Sequence, residues 1–492
     1  MITKTDFLTG HQCPKALWLS RHGASFGIAP KPLNPAAQFL IGQGRDVGLL
    51  AQERFPGGIN LLEVAGFDLQ ARARETSRLI SDGVSLLFEP VFIYESAVCA
   101  VDILARAGER WHVHEVKSGT KVKGHHVLDA AFQYHVLTQA GLDVRDVSIT
   151  HVNNQYRREG ELDLDQLFVD DSVLDQVGGI QVDVATEITS LQTVLASSDI
   201  PDISIGPHCS SPHGCPYRGH CWSHVPERSV FDLVRGGKKC WDLYRKGITT
   251  IKDILPGTKL SPAQRTQVTA EQSGEPHVDR AKIGAFLDGL TYPLCHIDFE
   301  TQAPAIPEFD GVRPYQQIPF QWSAHRQDDP DGEIKHHEFL AEAGDDLREP
   351  FMFALLEAVA GAETVLVYNK SFEAGRLAEL RDYFPQYAAE IQGVIDRLVD
   401  LMIPFQKRWY YMPAMHGSYS IKSVLPALVP ELSYSGMAIS NGTSASAAFL
   451  GLRDETDHER VTQVRRQLLS YCKMDTWAMV MLLEKLSQVS RP

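Results

Sequence analysis

Extended, two-residue periodicity marks two places in the chain. In Trp111-His112-Val113-His114-Glu115-Val116-Lys117 the odd positions share one face of a strand and the even positions the other. In Leu294-Cys295-His296-Ile297-Asp298-Phe299-Glu300 the face carrying Leu294, His296, Asp298 and Glu300 opposes an apolar face of Cys295, Ile297 and Phe299. Further strands are expected near 86–116 and at Thr364-Val365-Leu366-Val367-Tyr368. Helical stretches without a breaker are expected near 126–140 and from about 459 to 488. Strands alternating with helices imply an α/β layer fold. The pattern divides the chain into a first half, 1–225, a basic helical connector and linker, 226–285, and a second half, 286–492. Within the connector, PGTKLSPAQRTQVTAEQSGEPH is rich in turn residues and reads as linker or loop. The stretch 433–448 reads as a mobile surface loop.

Composition adds exclusions. With 43% hydrophobic and 22% charged residues over 492 positions, the chain is not a disordered, collagen-like or coiled-coil protein. No uninterrupted apolar run of about 18 residues is present, so no membrane-spanning helix is expected. The start carries Lys4, Asp6, His11 and Lys15 where a leader would need an apolar stretch, which places the expectation in the cytoplasm. A net charge of −15 excludes a polycationic coat, so contact with phosphate must be local. The acidic balance also suits sites for hard cations.

Glu115 and Lys117 lie two apart on one strand face, and Asp102 in AVCAVDILARA can join them if the two strands pair. Two carboxylates can hold a divalent cation, and a neighbouring lysine can orient or activate water, as phosphodiester hydrolysis requires. The same spacing also describes a solvated strand face with an ion pair. The stretch AVDIL, HEVKSGT, DAAFQYHVL resembles the RecB-like branch of the PD-(D/E)xK nucleases. That resemblance implies a restriction-endonuclease-like α/β/α domain with Asp102, Glu115 and Lys117 as its metal and catalytic site and Gln133 in support. The Gln and Tyr that the family often sets four apart are adjacent here, as Gln133 and Tyr134. Glu89 is an additional acidic candidate or an edge charge. Lys121 and Lys123 make the surroundings basic, as a phosphate backbone needs.

Cys209, Cys215 and Cys221 recur at six-residue intervals in PHCSSPHGCPYRGHCW, and Cys13 is the candidate for a fourth ligand. Thiolates in fours bind Zn²⁺ or an iron–sulfur cluster. The arrangement of one early and three late cysteines resembles RecB-like nucleases of the AddB type, which implies a [4Fe–4S] cluster closing a loop of about 200 residues. His208, His213 and His220 keep a zinc site open as the alternative.

In the second half, Asp298 and Glu300 on one strand, Asn369 and Glu373 after another, and Tyr471 and Asp475 four apart on a helix can supply oxygen ligands and a tyrosine near an attacking water. These fragments resemble the DnaQ-like exonucleases of the RNase H fold. The resemblance implies Asp298, Glu300, Glu373 and Asp475 as Mg²⁺ or Mn²⁺ ligands and Tyr471 as the residue that orients or deprotonates water. That family usually has Asp in the middle motif, so Asp400 is a substitute for Glu373, and Asn369 either contacts substrate or caps the following helix. HIDFET, RPYQQIPFQWSAH and YCKMDTWAM are similar to the bacterial domain-of-unknown-function family 2779, which joins a RecB-like half to an RNase H-like half. In the connector, Lys238, Lys239 and Lys246 lie in a stretch that resembles a helix-hairpin-helix, which grips phosphates without reading sequence. Together these imply a metal-dependent nuclease acting on DNA ends or single strands, in repair or anti-phage defence. RNA processing, or nucleic-acid binding with one or both centres inactive, are the alternatives.

Overall fold

The computed structural model describes residues 1–344 and 346–491. It shows a mixed α/β chain that divides into two compact units. One comprises Met1–His224 with Pro304–Gln316, the other Val225–Ala303 with Gln317–Pro492. Among the described residues, no helix is long and apolar enough to cross a membrane.

The first unit is built on a six-stranded sheet in the order Ile59–Asn60, Leu86–Phe88, Ile103–Ala107, Arg110–Lys117, Val144–Val152 and Phe168–Ser172. Ile103–Ala107 and Arg110–Lys117 form an antiparallel hairpin in which Ile103 faces His114. The register, carried one residue further, sets Asp102 opposite Glu115. Arg110–Lys117 then runs parallel to Val144–Val152, and the helix Gly124–Gln139 makes the crossover between them. Trp111 and Val113 point into the core beneath that helix, among Phe132, Val136 and Leu137.

The N-terminal helix Lys4–Gln12 packs on the crossover helix through a Phe7–Phe132 stack with centroids 4.9 Å apart. Its start is fixed by a reciprocal cap: Asp6 N–H donates to Thr3 Oγ1, and Thr3 N–H donates to Asp6 Oδ2. Lys4 is therefore the first residue of the helix. Gly10 touches Leu191 so closely that a Cβ would lie 2.5 Å from Leu191 Cδ2.

The second unit centres on a five-stranded sheet in the order Ile334–Leu340, Ile318–Gln327, Leu294–Gln302, Thr364–Val367 and Leu398–Asp400. The first three strands are antiparallel to one another, and the last three are parallel. Cys295, Ile297 and Phe299 enter the core, so Asp298 and Glu300 face the other way. The 33-residue helix His458–Ser490 lies against this second face.

Three expectations change. The connector 226–285 belongs to the second unit, where Val230, Leu233, Leu243, Ile251, Ile254 and Val268 form an apolar cluster. The stretch expected as linker contains the helix Pro262–Ser273, started by a Ser261/Gln264 capping box and ended by left-handed Gly274. Turn residues there are caps rather than linker. In the stretch expected as a mobile loop, Asn441 caps a helix at Gly442–Leu450 by accepting from Ser444 N–H at 2.9 Å. Phe449 anchors that helix by stacking on Phe320, with centroids 4.0 Å apart and planes 9° from parallel. Replacing this fully buried ring by alanine, Phe449→Ala, is expected to cost about 3–5 kcal/mol. A denaturant titration of the two proteins measures it, and equal midpoints would mean that the segment is not packed.

Candidate metal centres

In the second unit, four carboxylates from separated segments meet. Asp298 and Glu300 come from the central strand, Glu373 from the first turn of the helix Lys370–Tyr383, and Asp475 from the long C-terminal helix. Glu300, Glu373 and Asp475 are buried, and Asp298 is half-buried. One oxygen each of Asp298, Glu300 and Asp475 lie within 4.8 Å of one another, the spacing of ligands around one cation.

Burial, followed by the neighbouring acids, holds the Asp298 and Glu300 carboxyls well above their ordinary range. Burial pushes Glu373 up to about 8 and Asp475 up to about 6. Tyr434 O–H donates to Asp475 Oδ1 at 2.6 Å, and Lys422 Nζ donates to Tyr471 Oη at 2.7 Å. Glu373 Oε2 is buried without a hydrogen-bond partner. A cluster of acids that repel one another, with an orphaned oxygen, fits a divalent cation and is costly without one.

Asp400 is already engaged. Its oxygens accept from the backbone N–H groups of Asn369, Lys370 and Met402 at 3.1, 3.1 and 2.9 Å. It thereby holds the turn that delivers Glu373, so Glu373 stands in the acid cluster and Asp400 supports it. Asn369 occupies the N-cap position with φ +99°, and its side chain accepts from Ser371 O–H rather than from a helix amide. A non-glycine residue held there is a strained point at the edge of the site. Gly442, in the segment first read as a loop, lies close enough that a Cβ would sit 3.4 Å from Glu300 Oε2.

The first unit solves the same electrostatic problem differently. Glu115, only 1% exposed, accepts from Lys117 Nζ at 2.5 Å and from Lys4 Nζ at 2.7 Å through Oε1, and from Gln133 Nε2 at 2.7 Å through Oε2. Lys117 also donates to Asp129 Oδ2 at 2.6 Å. Asp102 accepts from Val116 N–H at 2.7 Å. Burial would raise Glu115, but Lys117 and then Lys4 outweigh it and hold the carboxyl below its ordinary range. Burial, then Glu115, pushes Asp102 up to about 7. Gln133 Oε1 is buried without a partner. The predicted set Asp102, Glu115, Lys117 and Gln133 thus comes together, joined by Lys4 and Asp129.

Sequence reasoning missed both of these. Asp129 lies four residues before Gln133 on one helix face, which was a legible signal. Lys4 is 111 positions from Glu115 and gave none. Glu89 is engaged by buried Arg72 at 3.1 Å, and Tyr134 packs against the core. Lys121 and Lys123 are exposed in the loop that leads from Lys117 into the crossover helix. Of the connector lysines, Lys246 is exposed, Lys238 pairs with Asp242 at 2.7 Å, and Lys239 is spent inside the fold on Lys259 O and Gln264 Oε1.

Cys13, Cys209, Cys215 and Cys221 line one cavity of the first unit. Cys13 sits in the extended break between the helices Lys4–Gln12 and Pro14–His22. Gln12 Nε2 donates to His208 O and His213 O at 2.7 Å each, tying the late loop to the early helix. Burial, and secondarily the neighbouring sulfurs, raise the Cys215 and Cys221 thiols. Tetrahedral zinc at about 2.3 Å from sulfur would hold its sulfurs about 3.8 Å apart. Among the described residues, the group of three donors within 4.8 Å is the acidic triad and does not include these sulfurs.

Residues 295–420 match a family described as "Domain of unknown function (DUF2779)". The match spans Asp298, Glu300 and Glu373 and ends before Tyr471 and Asp475. The chain is 26% identical over 278 residues to the uncharacterized protein UU173 of Ureaplasma parvum, covering 51% of this chain and 40% of that protein. It is 28% identical over 206 residues to an uncharacterized MG366 homolog of Mycoplasma pneumoniae, covering 38% of this chain and 31% of that protein. The chain thus spans less than half the length of these curated relatives.

The raised carboxyls set a sign for pH dependence. Because folding raises these pKa values, the folded state binds protons more tightly than the unfolded chain. The stability this gives is present near pH 4 and is lost as pH rises through about 6 for Asp475 and about 8 for Glu373. Removing one charge, Asp298→Asn, is expected to stabilise the metal-free protein at pH 8 by about 1 kcal/mol or more, with a smaller gain at pH 5. Added Mn²⁺ should reverse the order, because the variant loses a ligand. Melting curves at the two pH values, with and without Mn²⁺, measure this. A variant that melts below the parent in metal-free buffer at pH 8 contradicts the electrostatic account.

Proposed function

We propose that the chain is a metal-dependent nuclease with two hydrolytic centres, one in each unit, acting on DNA ends or single strands. One observation carries the reading: Asp298, Glu300, Glu373 and Asp475, spread over 178 positions, share one cluster of mutually repelling acids whose charge a cation would offset. Mg²⁺ or Mn²⁺ bound there would supply Lewis acidity toward a phosphodiester and a lowered water pKa.

The protein's own residues do the rest. Asp298, Glu300 and Asp475 are the ligands, with Glu373 set to join them. Burial and the nearby acids hold the Tyr471 phenol above its ordinary range, so it stays protonated and suits orienting a water rather than deprotonating it. Lys422, with its Nζ 4.9 Å from the Tyr471 ring centroid, is placed to offset charge on a phosphate oxygen. The strand order, with an antiparallel hairpin flanking three parallel strands, supports the RNase H-like reading of this unit.

In the first unit, Glu115 and Asp102 are the ligand pair, and Asp129 joins them through Lys117. Gln133 holds Glu115 in place, and its unpartnered carbonyl oxygen suits a cation or its water. Lys117, which donates to Glu115 and Asp129, would orient the attacking water. The βαβ crossover that carries Glu115, Lys117 and Gln133 supports the restriction-endonuclease-like reading. The four cysteines that line one cavity support a [4Fe–4S] cluster as the group held there.

Purified protein with Mn²⁺ is expected to degrade end-labelled single-stranded DNA. Asp298→Ala and Lys117→Ala should each remove the activity of their own centre by about 100-fold or more, and the double variant should be inactive. A rate unchanged in the double variant would assign the activity elsewhere and overturn the reading. For the cysteine cavity, iron-replete protein is expected to be brown, absorbing near about 400 nm, with the colour lost in Cys215→Ser. Colourless protein with one equivalent of zinc contradicts the cluster.

A further inference from the structure

We propose that a second cavity of the first unit receives one unpaired nucleobase of the strand held at the Glu115 centre; this rests on the nuclease reading and adds the recognition element that reading lacks. The cavity measures about 280 Å³, near the lower end of small-molecule sites, which suits a single base. Four pieces of chain enclose it: the N-terminal helix, Ala16 on the helix Pro14–His22 that follows, the start of the crossover helix, and the cysteine loop at 212–216.

Its lining has the chemistry of a base site rather than a phosphate site. None of its lining side chains is Lys, Arg, Asp or Glu. Leu8, Ala16 and Leu128 give apolar walls. His125 and His213 present imidazole rings with centroids 5.0 Å apart and planes at 74°, so one can stack on a flat ligand while the other meets its edge. Burial, then His213, lowers the His125 pKa, which keeps that ring neutral and suits stacking. His213 is exposed and His125 half-buried, so the cavity is open on the side of the cysteine loop.

The position ties it to the acidic centre. Thr5 lines the cavity and follows Lys4, which donates to Glu115. Leu128 lines it and precedes Asp129, which accepts from Lys117. The N-terminal helix and the crossover helix, which both wall the cavity, therefore each also carry a residue of the centre. Lys121 and Lys123, exposed just before His125, stand where flanking phosphates would run. A backbone drawn to those lysines and to the acidic centre can turn one base into the neutral cavity between them.

The test uses the whole protein and a short single-stranded oligonucleotide in Ca²⁺, with an abasic site moved one position at a time from the end. The wild type is expected to lose about tenfold or more in affinity at one position and little elsewhere. A 2-aminopurine at that same position should change fluorescence on binding. Thr9→Trp, which fills the cavity, and His125→Ala should each weaken binding of the intact strand by a similar factor. Both should leave the strand that is abasic at that position unaffected. An abasic profile that is flat in the wild type overturns the inference even if neither variant folds. Folded variants that bind intact and abasic strands alike also overturn it. A wild type that neither binds nor cuts any strand removes the nuclease reading and this inference together. One that binds and cuts with a flat profile removes this inference alone.

Discussion

Buried like charges are the constraint on which this molecule turns. Asp298, Glu300, Glu373 and Asp475 gain nothing from one another as anions in an environment poor in water. Burial and repulsion raise their pKa values; Lys422 draws Glu300 toward ionisation, and the Tyr434 hydrogen bond, then Lys422 and Tyr471, draw Asp475 the same way. An arrangement that raises the energy of four side chains persists only where the surrounding fold enforces it. Here the enforcement is visible. The central strand fixes two acids by its alternation, Asp400 pins the turn before Glu373, and the C-terminal helix brings Asp475 across the sheet.

The first unit shows the same problem with a different partial solution. Glu115 is more deeply buried than Asp298, yet Lys4 and Lys117 make it the more acidic group. The lysines take the place that a cation would otherwise fill, and they can yield, because each has a second partner in Asp129. Placement of Lys4 depends on the Thr3/Asp6 cap and the Phe7–Phe132 stack. The helix continues to Cys13, so the cysteine cavity and the acidic centre hang from opposite ends of one element.

Much of the fold and of both centres was legible along the chain, because strands and helices impose periods that spacing reveals. Asp298 and Glu300 two apart, Tyr471 and Asp475 four apart, and Glu115 and Lys117 two apart all face as their spacing requires. The four cysteines likewise meet. What stayed hidden has a common physical cause. Lys4, Lys422 and Tyr434 reach their partners through tertiary packing, and no local period records that. The helices at 262–273 and 442–450 were hidden by residues that read as turns. Ser261 and Asn441 are N-caps, Gly274 is a C-cap, and Gly442 makes room beside Glu300. Burial then supplied the stability that low propensity withheld.

The central claim is that the acids of the second unit form a cation site, and Mn²⁺ titration calorimetry tests it most directly. The account predicts saturable binding to metal-free protein at pH 7, weakened at least about tenfold by Asp298→Asn and retained in Lys117→Ala, whose lesion lies in the other unit. Heats that never saturate, or an isotherm indifferent to Asp298→Asn in a folded protein, would contradict it.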